Sequence, residues 1–100
     1  MKVLNSIEAN NTNFASWKVG SLEGIKYSDL VRILGEPTYE DESEDGKTQV
    51  EWYVLLNGNY FTIYDWKTYD REFTLNGLDV WSIGGSSDPT QLIELINSLK

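Results

Sequence analysis

Gln49-Val50-Glu51-Trp52-Tyr53-Val54-Leu55-Leu56-Asn57-Gly58-Asn59-Tyr60-Phe61-Thr62-Ile63-Tyr64-Asp65-Trp66 reads as two strands joined by a tight turn. β-Branched and aromatic residues fill both arms. Asn-Gly between them is the dipeptide that accepts the two positive-φ positions of a hairpin turn. A two-residue turn leaves one register: Leu56 opposite Asn59, Val54 opposite Phe61, Trp52 opposite Ile63 and Glu51 opposite Tyr64. One face then collects Val50, Trp52, Val54, Leu56, Phe61 and Ile63, and reads as core. The other collects Glu51, Tyr53, Leu55, Tyr60, Thr62, Tyr64 and Trp66, mostly aromatic with polar tips.

Upstream, Gly24-Ile25-Lys26-Tyr27-Ser28-Asp29-Leu30-Val31-Arg32-Ile33-Leu34-Gly35 predicts a short helix with Leu30, Ile33 and Leu34 on one side. Gly35 suits the left-handed position that ends a helix, and Pro37 blocks continuation. Downstream, Leu78-Asp79-Val80-Trp81-Ser82-Ile83 predicts a further strand that Gly84-Gly85 ends. Phe73-Thr74-Leu75 is a candidate partner strand across an Asn76-Gly77 turn. Asp88-Pro89-Thr90-Gln91 opens a final helix, with Asp88 as cap, Gln91 completing a capping-box variant, and a stripe of Leu92, Leu95, Ile96 and Leu99. In residues 1–23, Asn5, Asn10, Asn11 and Asn13 break any period. Strand and helix are equally expected there, with Phe14, Trp17 and Val19 docking on the core. The expected fold is one α+β domain spanning residues 1–100: an antiparallel sheet of three to four strands, packed by a short helix in the N-terminal half and by a C-terminal helix.

Between the first helix and the hairpin lies an acidic loop, residues 36–47. Six of the ten residues from Glu36 to Asp45 are carboxylates: Glu36, Glu40, Asp41, Glu42, Glu44 and Asp45. No basic residue interrupts them. The residues before Glu36 carry four Lys/Arg against three Asp/Glu, and those after Asp45 four against seven, so most of the formal charge of -8 sits here. Such a patch repels nucleic acid and anionic membrane and attracts basic protein surfaces. The bland alternative is a solvated loop that aids solubility.

The absence of Cys and His removes disulfides, thiol nucleophiles and every Ser–His or Cys–His arrangement. Carboxylate-pair hydrolysis and carboxylate–metal chemistry remain open, but Asp65, Asp70, Glu72 and Asp79 show no spacing that signals a catalytic pair. Asp41, Ser43, Asp45 and Gly46 fit positions one, three, five and six of a calcium loop; the twelfth, which should be Glu, is Trp52. No cofactor or metal is expected. On the sheet, Tyr53, Tyr60, Tyr64 and Trp66 suit a protein interface. The alternative is that Phe14 and Trp17 cover them. No apolar run approaches the roughly 20 residues of a membrane span, and the first residues lack a signal peptide's apolar stretch. A soluble protein of the cytoplasm is expected.

Two resemblances add to this reading. Residues 24–37, ending Leu34-Gly35-Glu36-Pro37, resemble the helix signature of beta-lactamase inhibitory protein and of small lipoproteins of the outer-membrane barrel-assembly machinery. In both, Gly, a capping Thr and an apolar helix precede Leu-Gly-x-Pro and a Trp/Tyr-rich hairpin. Here Lys26 stands at the Thr position, and no Cys is available to carry a lipid. The more specific resemblance covers residues 30–85 and is to small acidic bacteriophage proteins. It is carried by Leu34-Gly35-Glu36-Pro37-Thr38, Glu51-Trp52, Phe61-Thr62-Ile63-Tyr64-Asp65-Trp66-Lys67 and Asp79-Val80-Trp81-Ser82-Ile83-Gly84-Gly85, with Ser82 where relatives often have His. By analogy with anti-CRISPR inhibitors and DNA mimics among small acidic phage proteins, it implies a non-enzymatic, anti-defence binding protein. The implied partner is a basic host protein such as a CRISPR-associated nuclease, with no direct binding of nucleic acid or membrane. The expected contact residues are the six loop carboxylates with Tyr53, Tyr60, Tyr64 and Trp66. A small divalent-metal enzyme and a nucleotide-signal sponge are the alternatives, the latter short of clustered Lys/Arg for phosphate.

Overall fold

Asn57 and Gly58 both adopt positive φ, 52° and 80°, and close the central hairpin of the sheet. The computed structural model describes all residues 1–100. Strands β3 (Glu51–Leu56) and β4 (Asn59–Tyr64) pair antiparallel, with Trp52 opposite Ile63 and Glu51 opposite Tyr64, the register a two-residue turn demands. Val50, Trp52, Val54, Phe61 and Ile63 are buried on one face, as the alternation predicts. β5 (Val80–Gly85) pairs with β4, and β2 (Trp17–Glu23) pairs with β5 at one edge. β1 (Lys2–Val3) pairs with β3 at the other, giving the order β1-β3-β4-β5-β2, antiparallel throughout.

Helices α2 (Tyr27–Leu34) and α4 (Thr90–Leu99) place Leu30, Leu34, Leu92 and Ile96 in one cluster with the sheet's apolar face. Two buried indoles clamp α2 from both ends. Trp81 Nε1 donates to Ile25 O ahead of the helix, and Trp52 Nε1 donates to Gly35 O behind it, each at 3.0 Å. Each ring thus fills core volume while its polar N–H is satisfied by backbone. Gly35 takes φ +86° and donates to Val31 O, ending the helix where Pro37 follows.

The sheet holds five strands rather than three to four, because the N-terminal segment supplies both edges. It also supplies α1 (Ser6–Asn10), capped reciprocally by Asn5 and Glu8. β1 and β2 lie at opposite edges, so residues 4–16 must cross a face of the sheet. The core face is taken by α2 and α4, and the segment crosses the outer one: Phe14 stacks on Tyr60 there, and Ser16 lies over Gly84.

Four local expectations are corrected. Phe73-Thr74-Leu75 lies in a helix, α3 (Arg71–Asn76), not a strand; Asp70 caps it by accepting from Phe73 N, and Gly77 ends it. Gly84 and Gly85 lie inside β5. A side chain at Gly84 would clash with Thr62 Oγ1 at 2.7 Å and Ser16 Oγ at 2.9 Å, so close packing rather than strand termination requires glycine. Asp88 is not the cap and Gln91 completes no capping box: Pro89 is the N-cap residue, without a side-chain cap, Asp88 stands one residue before it and accepts from Thr90 N and Oγ1, and Gln91 Oε1 accepts from Asn57 Nδ2. Val19 packs on the core, but Trp17 is 59% exposed.

Candidate functional site

The acidic loop is stitched to the sheet rather than hung from it. Beyond β1, its residues continue the edge of β3. Thr38 Oγ1 donates to Leu4 O and accepts from Tyr53 N. Tyr39 exchanges both backbone hydrogen bonds with Glu51 at 3.0 Å. At the far end Ser43 and Thr48 close a turn: Ser43 N donates to Thr48 O, and Thr48 N donates to Ser43 Oγ. Asp45 braces it by accepting from Ser43 Oγ and Lys47 N. Anchored on both sides, the carboxylates between are held in place without being buried.

These anchors frame a cleft of about 720 Å³. Glu40, Asp41, Glu42, Glu44 and Glu51 line it with Ser6, Thr38, Tyr39, Ser43 and Thr48; Pro37 is its one apolar residue and no Lys or Arg contributes. Of the six predicted loop carboxylates the fold therefore gathers four; Glu36 and Asp45 lie outside the lining, and all six are exposed. No three carboxylates come together closely enough to hold a metal ion. The two side chains of the calcium-loop pattern that are tied down, Ser43 and Asp45, are committed to the turn.

Glu51 is a cleft residue that sequence reasoning placed only on a sheet face. Burial pushes its carboxyl from the ordinary 4.5 up to about 7; a hydrogen bond with Thr62 opposes the rise and the charge of Asp65 adds to it. Burial also raises its neighbours, Tyr53 to about 12 and Tyr64 by less, with the Glu51 charge contributing to both. A carboxyl that titrates near neutrality in a cleft gives the site a pH-sensitive charge.

The outer aromatic face divides in two. Phe14 stacks on Tyr60 (centroids 5.4 Å) and meets Tyr53 edge-on (6.1 Å), and Tyr39 meets Tyr53 edge-on from the loop side (5.6 Å). Tyr53 and Tyr60 are thus covered by Phe14 and half-buried, with Trp17 taking no part. Tyr64 and Trp66 pack edge to face at 6.1 Å, and Trp66 stays half exposed.

Asp65 joins the two halves of the site from inside. It is fully buried. Its Oδ1 accepts from Gln49 N and Val50 N; its Oδ2 accepts from Thr68 Oγ1 and Thr74 Oγ1. One carboxylate therefore ties the exit of the acidic loop to the segment that carries Trp66. Comparison with protein-family models, curated proteins and solved structures returned no match.

Proposed function

We propose that this chain is a non-enzymatic inhibitor that blocks a basic, nucleic-acid-holding surface of a host protein, acting in the cytoplasm of a host cell. The observation that carries the reading is the cation-free cleft: four loop carboxylates and Glu51 held on a braced frame, with no Lys or Arg of the chain paired to any of them. Pre-placed charge steers encounter with a basic surface and loses little freedom on docking. The mobile-element setting rests on the resemblance to small acidic phage proteins. The leading target is an RNA-guided nuclease, whose nucleic-acid channel is positively charged. No helix is long and apolar enough to cross a membrane.

The test is direct binding to guide-loaded nucleases, with target DNA as competitor. Wild-type protein is expected to bind and to exclude DNA. A variant with Glu40, Asp41, Glu42 and Glu44 changed to Lys is expected to bind far more slowly. A bound partner that ignores both the reversal and added salt would reduce the acidic loop to a solubility feature.

A further inference from the structure

We propose that Trp66, Tyr69, Lys47 and Lys67 form a second contact surface, beside the acidic cleft, that takes a carboxylate-bearing peptide segment with an apolar side chain. This rests on the proposed function only in taking the partner to be a protein. It makes that partner bipolar, with a basic patch for the cleft and an acidic segment next to it.

The chain has two acids for every base, yet six of its eight cations, Lys47 and Lys67 among them, are in no ion pair; these two are set apart by the ring they share. Its only ion pairs are Lys2–Glu8 and Arg32–Asp29. The ammonium groups of Lys47 and Lys67 instead stand 5.5 and 5.7 Å from the centre of the Trp66 ring, which is 50% exposed. Tyr69, 60% exposed, borders the same patch: a β-carbon at Gly46, next to Lys47, would lie 3.9 Å from Tyr69 Cδ1 and 2.8 Å from Glu42 Oε1, so the patch abuts the acidic loop on that side.

The backbone spends conformational energy to present these groups. Lys67 and Tyr69 both hold positive φ, 57° and 53°, a region non-glycine residues seldom occupy. Between them Thr68 points inward to the buried Asp65, and Lys67 N donates to Lys47 O at 2.7 Å. The staple holds the turn, and the turn places a cation and a ring on its outer side.

Two ammonium groups over the one exposed Trp66 ring, with the exposed Tyr69 beside them, fit one anionic group joined to an apolar one. A nucleic-acid strand fits less well, because flanking phosphates would meet the loop carboxylates that begin at Asp45, two residues from Lys47. A second copy of this chain would bring its own charge of -8 against the same charge.

The probe is the blocked peptide acetyl-Asp-Leu-Glu-amide, titrated into the isotopically labelled full chain and followed by NMR. Saturable shifts are expected at the Trp66 indole N–H and at the amides of Lys67 and Tyr69. The peptide acetyl-Lys-Leu-Lys-amide should not produce them. Joint Lys47→Glu and Lys67→Glu substitution should weaken the acidic peptide about tenfold or more, and Trp66→Ala should abolish saturation. Shifts that survive the Lys47/Lys67 reversal would overturn the proposal. So would stronger shifts of the same signals with octathymidylate, which would assign the patch to nucleic acid. Concentration dependence of these signals without peptide would overturn it in favour of self-association. Reversal of the four loop carboxylates separates this from the proposed function: peptide binding should persist in that variant even where a basic partner is lost.

Discussion

Two connections meet at the start of β3 and treat negative charge in opposite ways. The one between α2 and β3 carries six carboxylates and leaves all six exposed. The one between β4 and α3 begins with Asp65 and buries it completely. Asp65 receives hydrogen bonds from four donors, whereas only Asp45 among the six receives any. A carboxylate surrounded by donors is a fastening, and its charge is spent inside the fold. A carboxylate without donors keeps its charge for something outside. The number of donors around each acid, more than the number of acids, separates the structural role from the candidate binding role.

The strongest way to break this comparison is to remove the fastening. Asp65→Ala leaves two backbone N–H groups and two hydroxyls without their acceptor. The expected loss is roughly 3–5 kcal/mol of stability, read as a large fall in the urea midpoint and release of residues 66–70 to hydrogen exchange. A loss under about 1 kcal/mol would mean that the carboxylate is a bystander. Asp65→Asn keeps one acceptor oxygen and should fall between Ala and wild type.

Glu51 sits between the extremes, half-buried with its carboxyl raised to about 7. The sign follows from proton uptake. Below its ordinary value of 4.5 the group is protonated in both states and costs nothing. As pH rises from there towards 7, the unfolded chain releases the proton first, so the folded state loses stability across that window. The fall is at most roughly 2–3 kcal/mol, since one pKa unit corresponds to about 1.4 kcal/mol and the site is partly open. Glu51→Gln should remove this slope and be more stable than wild type at pH 8, with little difference at pH 4. Parallel urea curves for the two proteins from pH 4 to pH 8 would show that Glu51 carries no burial cost.

Much of the scaffold behind this comparison is legible in the residues. Asn57-Gly58 and strict alternation give the hairpin register, and Gly35 before Pro37 marks the end of α2. What is not legible depends on neighbours distant in the chain. Phe73-Thr74-Leu75 has strand-like composition, but the Asp70 cap and the bond from Thr74 to Asp65 make it helical. Asn5 looks like a breaker in a run of asparagines; paired with Glu8 it is a capping box, a local signal that was there to find. The acidic run is visible as composition, but its cleft is not. That shape comes from Thr38, Tyr39 and Glu51 meeting at an edge that β1 leaves unfinished. The aromatic face is visible as alternation. Its partial cover by Phe14 follows only once β1 and β2 stand at opposite edges.

Binding sharpens the comparison from the other side. Reversing Glu40, Asp41, Glu42 and Glu44 should slow association with a basic partner about ten- to hundredfold while changing dissociation little, because exposed charges act mainly on encounter. Trp66→Ala should do the opposite, shortening the lifetime of the complex if the ring is an anchor. Stopped-flow traces at two salt concentrations separate the two. Equal effects on both rates from both variants would erase the division between steering loop and anchoring ring.

The smallest expected effect is the loop's own contribution to stability, and it is the most discriminating one. None of the four carboxylates receives a hydrogen bond, and none is in an ion pair, so their removal leaves no buried group unsatisfied. Changing all four to Gln should alter stability by less than about 0.5 kcal/mol, in contrast to the single change at Asp65. The sign should be slightly favourable, because like charges crowded into one cleft repel, and salt should narrow the gap by screening that repulsion in the wild type. Gln serves better than Lys here. Each reversal adds two charge units, so four reversals take the formal net charge from -8 to zero, where weaker colloidal repulsion shifts a denaturation midpoint for reasons unrelated to the loop. If the Gln variant instead unfolds at markedly lower urea, the loop's acids are part of the frame, and the line drawn between Asp65 and its exposed counterparts is in the wrong place.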